Sequence, residues 1–414
     1  MSASPATTWL ICAATFALIL LRPRRWPEAV WAVLGAALAV VLGGLPIGQA
    51  AAAAGRGLDV YLFLIGMMLM SEAARREGLF DAAAVLAVNL AAGSTWRLLA
   101  LVYGVGVVVT VFLSNDATAV VLTPAVLAVA RRAKADPWPL LLACALVANA
   151  ASFGLPISNP ANLVLYGAHP PTLGAWLGRL GPAALAAIAA TFAALALTQR
   201  RRLAGACEAR IAPSPTPPGA WTALAGLGAA AAGLMAASAL GLPLGAATLI
   251  LAAMTVGAVS IAARRPPWAI VAGVNLSIIP LVAGLFVLVE ALQRTGLTDR
   301  LAQALTQAAA PGPAALAGAA LALVCNLVNN LPAGLTASVA AHQAQAGPRL
   351  TDALLIGVDL GPNLSVTGSL ATLLWLAAIR REGERAGGWA FLKVGALAMP
   401  LALAAALAVR MALG

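Results

Sequence analysis

The sequence predicts an all-α polytopic membrane protein: two inverted five-span repeats, each carrying a re-entrant helical hairpin and a broken helix. Three observations predict it. Of 414 residues, 62% are hydrophobic and 9% charged, with several apolar runs of eighteen or more, long enough to cross a bilayer as helix. Polar residues break these runs at a few places, most sharply in "FLSNDATAVVLTP" at 112–124. The motifs of the first half recur in the same order in the second.

The net charge of +11 would point to nucleic acid in a soluble protein, but here loop Arg obeying the positive-inside rule accounts for it, and no nucleic-acid partner is expected. Four Cys, at 12, 144, 207 and 325, form no CxxC pair, so neither a disulfide framework nor a zinc site is expected, and no cofactor. Cys144 and Cys325 fall in membrane segments, where small thiols pack like other apolar side chains.

In chain order, Thr8 to Leu21 reads as a retained first span, with no basic residue before it and no clear cleavage site. Spans follow at Glu28 to Leu45 and Leu58 to Ala74, then an interfacial helix in "RREGLFDAAAVLAVNLAAGS". The first hairpin covers about 98–131: two apolar arms flanked by Arg97 and by Arg131, Arg132 and Lys134, so that both outer ends sit on one membrane side. Each arm has about fifteen residues, short of the ~20 a span needs, and the alternative is one long helix with a polar kink. A broken helix covers about 139–167, interrupted by the Pro, Gly and Asn of "VANAASFGLPISNPANLVLYG". A fifth span, Leu173 to Thr198, completes a first repeat of 1–198.

The segment 199–219, basic at its start and Pro-rich at its end, is a linker. The second repeat, 220–414, has spans at Trp221 to Leu240, Pro243 to Ala263 and Trp268 to Leu292, then an amphipathic stretch. A hairpin at about 314–345, a broken helix at about 351–379 and a last span from Trp389 to Leu413 follow. Gly66, Glu72, Arg76, Gly78 and Asp81 align with Gly284, Glu290, Arg294, Gly296 and Asp299 at a constant offset of 218. Asn115 and Asp116 align with Asn329 and Asn330 at 214, and Asn149, Asn159 and Asn162 with Asp359, Ser369 and Thr372 at 210. An odd number of spans per repeat inverts the second. With both termini outside, 19 Lys and Arg fall on the cytoplasmic side and six outside: Arg56, Arg179, Arg294, Arg300, Arg349 and Arg410.

Inverted repeats with discontinuous helices point to a secondary transporter whose site lies near the bilayer midplane. The residues expected to bind substrate are Ser114, Asn115, Asp116 and Thr118 from the first hairpin, and Asn329 and Asn330 from the second. Asn159 and Asn162 come from the first broken helix, and Thr367, Ser369 and Thr372 from the second. Asp116 and Asp359 are the two deepest carboxyls, and a carboxyl held in low dielectric exchanges protons near neutral pH, so both are candidates for proton coupling. Glu72 and Glu290 lie near span ends, where each reaches water or an Arg and serves as an anchor. No Lys or Arg maps to the site, so a neutral or weakly charged polyhydroxy solute fits better than a multiply charged anion. The motifs of an intramembrane hydrolase, HExxH, GxSxG or GxGD, are absent, and His169 and His342 fall in loop or helix-end positions.

"LSNDATAVVLTP", "CNLVNNLPAGL" and "GVDLGPNLSVTGSLATLLWL" resemble the signatures of the ArsB arsenite/antimonite efflux permeases, within the ion transporter superfamily. Ser114 and Asn115 also match the Ser-Asn-Thr of the superfamily's divalent-anion/sodium symporters, with Asp116 standing where those have Thr. The resemblance covers nearly the whole length. It implies export of arsenite or antimonite, neutral trivalent hydroxides, in exchange for protons across the bacterial inner membrane. It implies two further partners, a cytoplasmic arsenite-stimulated ATPase and a second copy of the chain. The alternative on the same fold is a sodium-coupled carboxylate or sulfate carrier, or a sodium/proton antiporter.

Overall fold

The computed structural model describes residues 4–21, 23, 26–167, 170–212, 217–384 and 387–413. The expectations for Arg22, Arg24, Arg25, Arg385 and His169 lie outside the described residues. The chain is helical, with one isolated β-bridge between Ser94 and Ala206 among the described residues. It begins with α1 (Pro5–Leu21), α2 (Glu28–Val41), α3 (Ile47–Arg56) and α4 (Leu58–Arg76). Next come α5 (Leu79–Ala91), α6 (Thr95–Phe112), α7 (Thr123–Arg132), α8 (Pro137–Ala150), α9 (Pro160–Tyr166) and α10 (Leu173–Gln199). The second half holds α11 (Ala220–Ala239), α12 (Leu244–Ala262), α13 (Trp268–Val271), α14 (Ile278–Gln293) and α15 (Leu297–Thr306). It closes with α16 (Pro311–Val328), α17 (Asn330–Gln343), α18 (Pro348–Leu360), α19 (Leu370–Arg381) and α20 (Gly388–Ala412). Among the described residues, six helices are each long and apolar enough to cross a membrane, or up to eight if each bent pair counts as one span. The molecule is a multi-pass membrane protein.

Two departures from the sequence reading have local causes. The expected single span from Trp268 to Leu292 is broken after Val271 and resumes at Ile278. Asn275 holds the turn before the restart, accepting from the Ser277 backbone N–H at 3.2 Å and its hydroxyl at 2.7 Å. Gly273 lies so close to Glu72 that a Cβ there would stand 2.0 Å from Glu72 Oε1, so the break brings backbone against an acidic side chain. Residues 47–56, left unassigned by the sequence, form α3, bent 46° from α4 at Gly57. Its Ala-rich composition favours helix, but it has no apolar run of spanning length.

The first hairpin doubles back. In a continuous helix Thr110 and Thr118 would lie about 12 Å apart along the axis. Their hydroxyls instead meet at 2.8 Å. Both outer ends also reach the same linker: Thr95 Oγ1 donates to Leu203 O at 2.7 Å, Cys207 N to Gly93 O at 3.1 Å and Glu208 N to Ala133 O at 2.8 Å. The α6 arm runs to 18 residues, longer than its sequence reading, because Ser94 caps it from the Arg97 N–H. The returning arm restarts through a π-helical turn at Ala117–Leu122, a local widening often found where side chains must be re-aimed.

The linker, the α4–α5 turn, both ends of this hairpin and the end of α19 form one face. Arg131 reaches Glu384 at 2.8 Å, Arg202 reaches Asp136 at 2.8 Å and Lys134 reaches Glu208 at 2.8 Å. At the far end Arg56 pairs with Glu290, and Arg294 donates to Gln49 at 3.0 Å.

Residues paired by the offset of 218 occupy matching environments. A Cβ on Gly66 would meet the Thr248 backbone of α12 at 2.8 Å, and one on Gly284 the Ala32 backbone of α2 at 2.8 Å. Gly78 and Gly296 both take left-handed backbone, φ 68° and 77°, at the sharp turns into α5 and α15, a conformation glycine adopts without steric cost. Glu72 and Glu290 each meet arginine, Glu72 with Arg75 and Arg76 and Glu290 with Arg56. Helices α2, α4, α12 and α14 pack together as one body, while α8, α10, α18 and α20 pack with the hairpins as another.

Candidate transport site

The site lies where four helices begin. The chain leaves α6 at Leu113 and restarts at Asn115, whose Oδ1 accepts the Asp116 N–H at 2.9 Å, while Ser114 Oγ accepts the Ala117 N–H at 3.1 Å. Asn329, at φ 77°, turns the second hairpin and caps α17 by accepting from Leu331 N at 3.4 Å. Its neighbour Asn330 donates its backbone N–H to Gly368 O at 2.8 Å, fastening the hairpin tip to the second broken helix. Asn159 caps α9 from Ala161 N at 3.0 Å, and Ser369 caps α19 from Thr372 N at 3.1 Å. These last two are the pair aligned at the offset of 210, and both are extended, at φ −150° and −142°.

Asn115, Asp116, Asn159, Asn330 and Ser369 line a central cavity of about 10 Å³ with Leu64, Ile278 and Leu331. That is room for about one water. Five of the residues singled out in the sequence thus meet at one place. The Asn and Ser side chains and the positive ends of helix dipoles around it suit an oxygen-rich solute.

The other candidates serve the scaffold of the site. Thr118 is fully buried and pairs with Thr110 across the hairpin, away from the cavity, because closing the hairpin consumes its hydroxyl. Asn162 turns its amide onto Ser152 O and Leu155 O at 2.8 and 3.1 Å, holding the unwound segment between α8 and α9. Thr372 bonds back to Ser369 and Val366, and Thr367 bonds Ser365 and Asn326 O. Ser114 lines a wider vestibule. Asp359 is buried behind the cavity, taking Asn159 Nδ2 on Oδ1 at 2.6 Å, so it touches the site through that asparagine. Asn149 joins the two broken helices, donating to Asn363 Oδ1 at 3.0 Å and accepting from Ser369 Oγ at 3.4 Å.

Asn326 was missed. It accepts from Ser365 Oγ at 2.7 Å and donates to Gly361 O at 3.0 Å, tying α16 to the unwound segment before α19. Its lack of a first-half counterpart, Phe112 standing at the offset of 214, hid it from repeat matching.

Access is one-sided. A vestibule of about 420 Å³ on the linker face, lined by Glu72, Arg75, Asn275, Ser277 and Arg381, shares Leu64, Asp116, Pro160, Ile278 and Leu370 with the cavity. A second vestibule of about 580 Å³ at the far end, with Arg56, Phe286, Glu290, Leu335 and Val339, shares no described lining residue with it. In a cysteine-free background, Ser277→Cys should react with a membrane-impermeant maleimide from the linker face only, and Val339→Cys from the opposite face only. Labelling of everted and right-side-out vesicles reads this directly, and equal labelling of both variants from one face would contradict the two-vestibule arrangement.

Comparison with known proteins places the architecture. The model of the CitMHS family, described as citrate transporter, matches residues 16–358. The chain belongs to this transporter family. Arsenical pump membrane proteins of Yersinia enterocolitica and of Escherichia coli K12 are each 26% identical over 394 residues, covering 89% of this chain and 89% of each relative. An uncharacterized transporter of Mycobacterium tuberculosis is 26% identical over 409 residues, covering 94% and 95%. The ArsB-like resemblance read from the hairpin and broken-helix motifs agrees with these relatives. The crystal structure of the Alcanivorax borkumensis YdaH transporter shares the fold at TM-score 0.54 and 16% identity, over 88% of this chain and 87% of that one. The family is one of membrane transporters rather than enzymes.

Proposed function

We propose that this family member exports arsenite and antimonite, as neutral trivalent hydroxides, in exchange for protons. The observation that carries the reading is the lining of the cavity: Asn115, Asn159, Asn330 and Ser369, with Asp116 its ionisable group and no Lys or Arg among its described lining residues; at about 10 Å³ it is closed to the size of one water and widens to admit the solute. A small uncharged hydroxide can exchange hydrogen bonds with such a lining, and Asp116, at the mouth toward the linker-face vestibule, can take or give a proton as solute arrives. The relatives named arsenical pump membrane proteins support the same substrate class.

The cycle we propose inverts two repeats, 1–198 and 220–414, about the cavity, with the linker face cytoplasmic, both termini outside, and the membrane the bacterial inner membrane. The bundle of hairpins and broken helices moves against the body formed by α2, α4, α12 and α14. Solute binds from the cytoplasm near Asn115 and Asn330 as Asp116 releases its proton, and Asp116 is reprotonated from outside as solute leaves. Asp359 supports this by fixing Asn159. The ATPase partner and the homodimer remain parts of the proposal that rest on the resemblance.

The description of the matching family model favours a second reading, a carboxylate carrier. The converging helix N-termini would serve a carboxylate, but a citrate-like trianion would have only dipoles and co-bound cations to balance it. The test is uptake of radiolabelled arsenite into everted vesicles containing this chain alone, with and without an acid interior. Accumulation driven by the proton gradient is the expected result. No arsenite uptake, together with sodium-dependent uptake of a labelled carboxylate, would replace the first reading with the second.

A further inference from the structure

Three of the buried polar atoms that lack a hydrogen-bond partner among the described residues belong to arginines at the far end: Arg179 Nε, Arg349 Nε and Arg410 Nη1. These are three of the six arginines that the charge count placed against the positive-inside trend. Of the others, Arg56 pairs with Glu290 and Arg294 with Gln49. Two of the three pair with one carboxylate, and the third stands a turn away. Asp352, fully buried on α18, accepts from Arg410 Nε at 2.7 Å on Oδ2 and has Arg179 Nε 3.2 Å from the same oxygen. Its Oδ1 accepts from Arg179 Nη2 at 3.3 Å and from the Tyr166 hydroxyl. Arg349 lies three residues before Asp352, one turn away on the same helix face.

Three guanidiniums and one carboxylate at this corner leave a surplus of two positive charges. Asp352 already accepts on both oxygens, so it offsets one of these charges and has no free oxygen for the remaining donors. Arg410 is 1% exposed; its Nε is paired with Asp352, but its Nη1 has no acceptor among the described residues, and a buried donor left without one is costly. Arg410 Nη1 is left as a donor for a bound oxygen. Arg179, 26% exposed at its side chain, opens the corner to the surface, and Tyr166 stands one residue before Gly167, which lines the far vestibule. The amino terminus of α18 adds its dipole on the same side.

We propose that this corner, formed by Arg179, Arg349, Arg410 and the start of α18, is an anion site for a phosphate-type oxyanion, either the phosphodiester of an anionic lipid headgroup or inorganic phosphate. The guanidinium fork matches two oxygens of a phosphate group, and a group with several oxygens satisfies more than one of the orphaned donors at once. Its position at a membrane-facing end brings lipid headgroups within reach. Occupancy ties α9, α10, α18 and α20 together, which predicts stabilisation.

Thermal unfolding of the purified full chain tests this, in detergent with phosphatidylglycerol, with phosphatidylcholine, with inorganic phosphate, or with chloride at matched ionic strength. The expected result is a midpoint raised by about 2 °C or more by phosphatidylglycerol or phosphate over phosphatidylcholine or chloride. Arg349→Gln and Arg179→Gln, which are partly exposed and leave the buried Asp352–Arg410 pair intact, should cut that shift by half or more. Arg300→Gln, at the same end and exposed, should leave it unchanged. A shift from phosphatidylglycerol alone assigns the headgroup, and one from phosphate alone assigns the free ion. No shift with either anion, or a shift of equal size in the Arg349→Gln/Arg179→Gln double variant, would overturn the site.

Discussion

Asp116→Asn should abolish uphill accumulation of arsenite while leaving the protein folded in the membrane. Asparagine keeps the size and hydrogen-bonding capacity of the side chain, and Asp116 has no buried ion pair to lose: it faces the cavity and the linker-face vestibule. What it cannot do is carry a proton. For one proton exchanged per neutral solute, a gradient of one pH unit supplies about 1.4 kcal/mol, roughly tenfold accumulation. A potential of 100 mV adds about 2.3 kcal/mol. The variant should therefore fall from at least about tenfold accumulation to equilibration at about onefold, with no dependence on the imposed pH gradient. Asp359→Asn separates the two carboxyls. That position bonds Asn159 rather than the cavity, so its loss should slow transport through a displaced Asn159 without erasing the pH dependence. If the Asp116→Asn chain still accumulates arsenite with the native response to pH, the proton does not travel on Asp116 and the coupling proposed above is wrong.

The parts of the site that the sequence made legible are those where polarity and helix-breaking residues coincide. Asn115, Asp116, Asn159, Asn330 and Ser369 stood out because an apolar run gives no other reason for them, and all five line the cavity. Legibility failed where a role depends on distance across the fold. Thr118 looked like a site residue by its place in the motif, yet the partner that removes it, Thr110, becomes visible only once the hairpin closes. The break at 272–277 went unread because Asn275 and Ser277 sit in a run apolar enough to pass for one span, and the Glu72 that presses on Gly273 comes from the other half of the chain. Arg410 read as one of six basic residues on the outer side. In the fold it is buried against Asp352, a pairing 58 residues apart in sequence that no local pattern announces.

Gly357→Val should be strongly destabilising, because it strikes the seam that joins hairpin to broken helix. Ala314, Gly318 and Ala322 recur every four residues on α16, and Ala353, Gly357 and Gly361 do the same along α18 and its end, so two rows of small residues face each other. A Cβ on Gly357 would stand 2.1 Å from Gly318 O, one on Gly318 2.3 Å from Ala353 O, and one on Gly361 2.4 Å from Ala322 O. The atoms in the way are backbone, which cannot rotate aside. Gly357→Ala alone should then cost about 1–3 kcal/mol, and Val more, since the helices must part along the seam. The same displacement reaches the transport site, because Asn326 on α16 donates to Gly361 O and holds Ser365. Transport should consequently fail in Gly357→Ala even where folded protein is recovered. Gly312→Val on the same α16 arm, where a Cβ meets nothing within 4 Å, should keep both its unfolding midpoint and its transport. An unchanged midpoint and full transport in Gly357→Val would show that α16 and α18 can separate freely, and the hairpin would then have to move independently of the broken helix rather than with it.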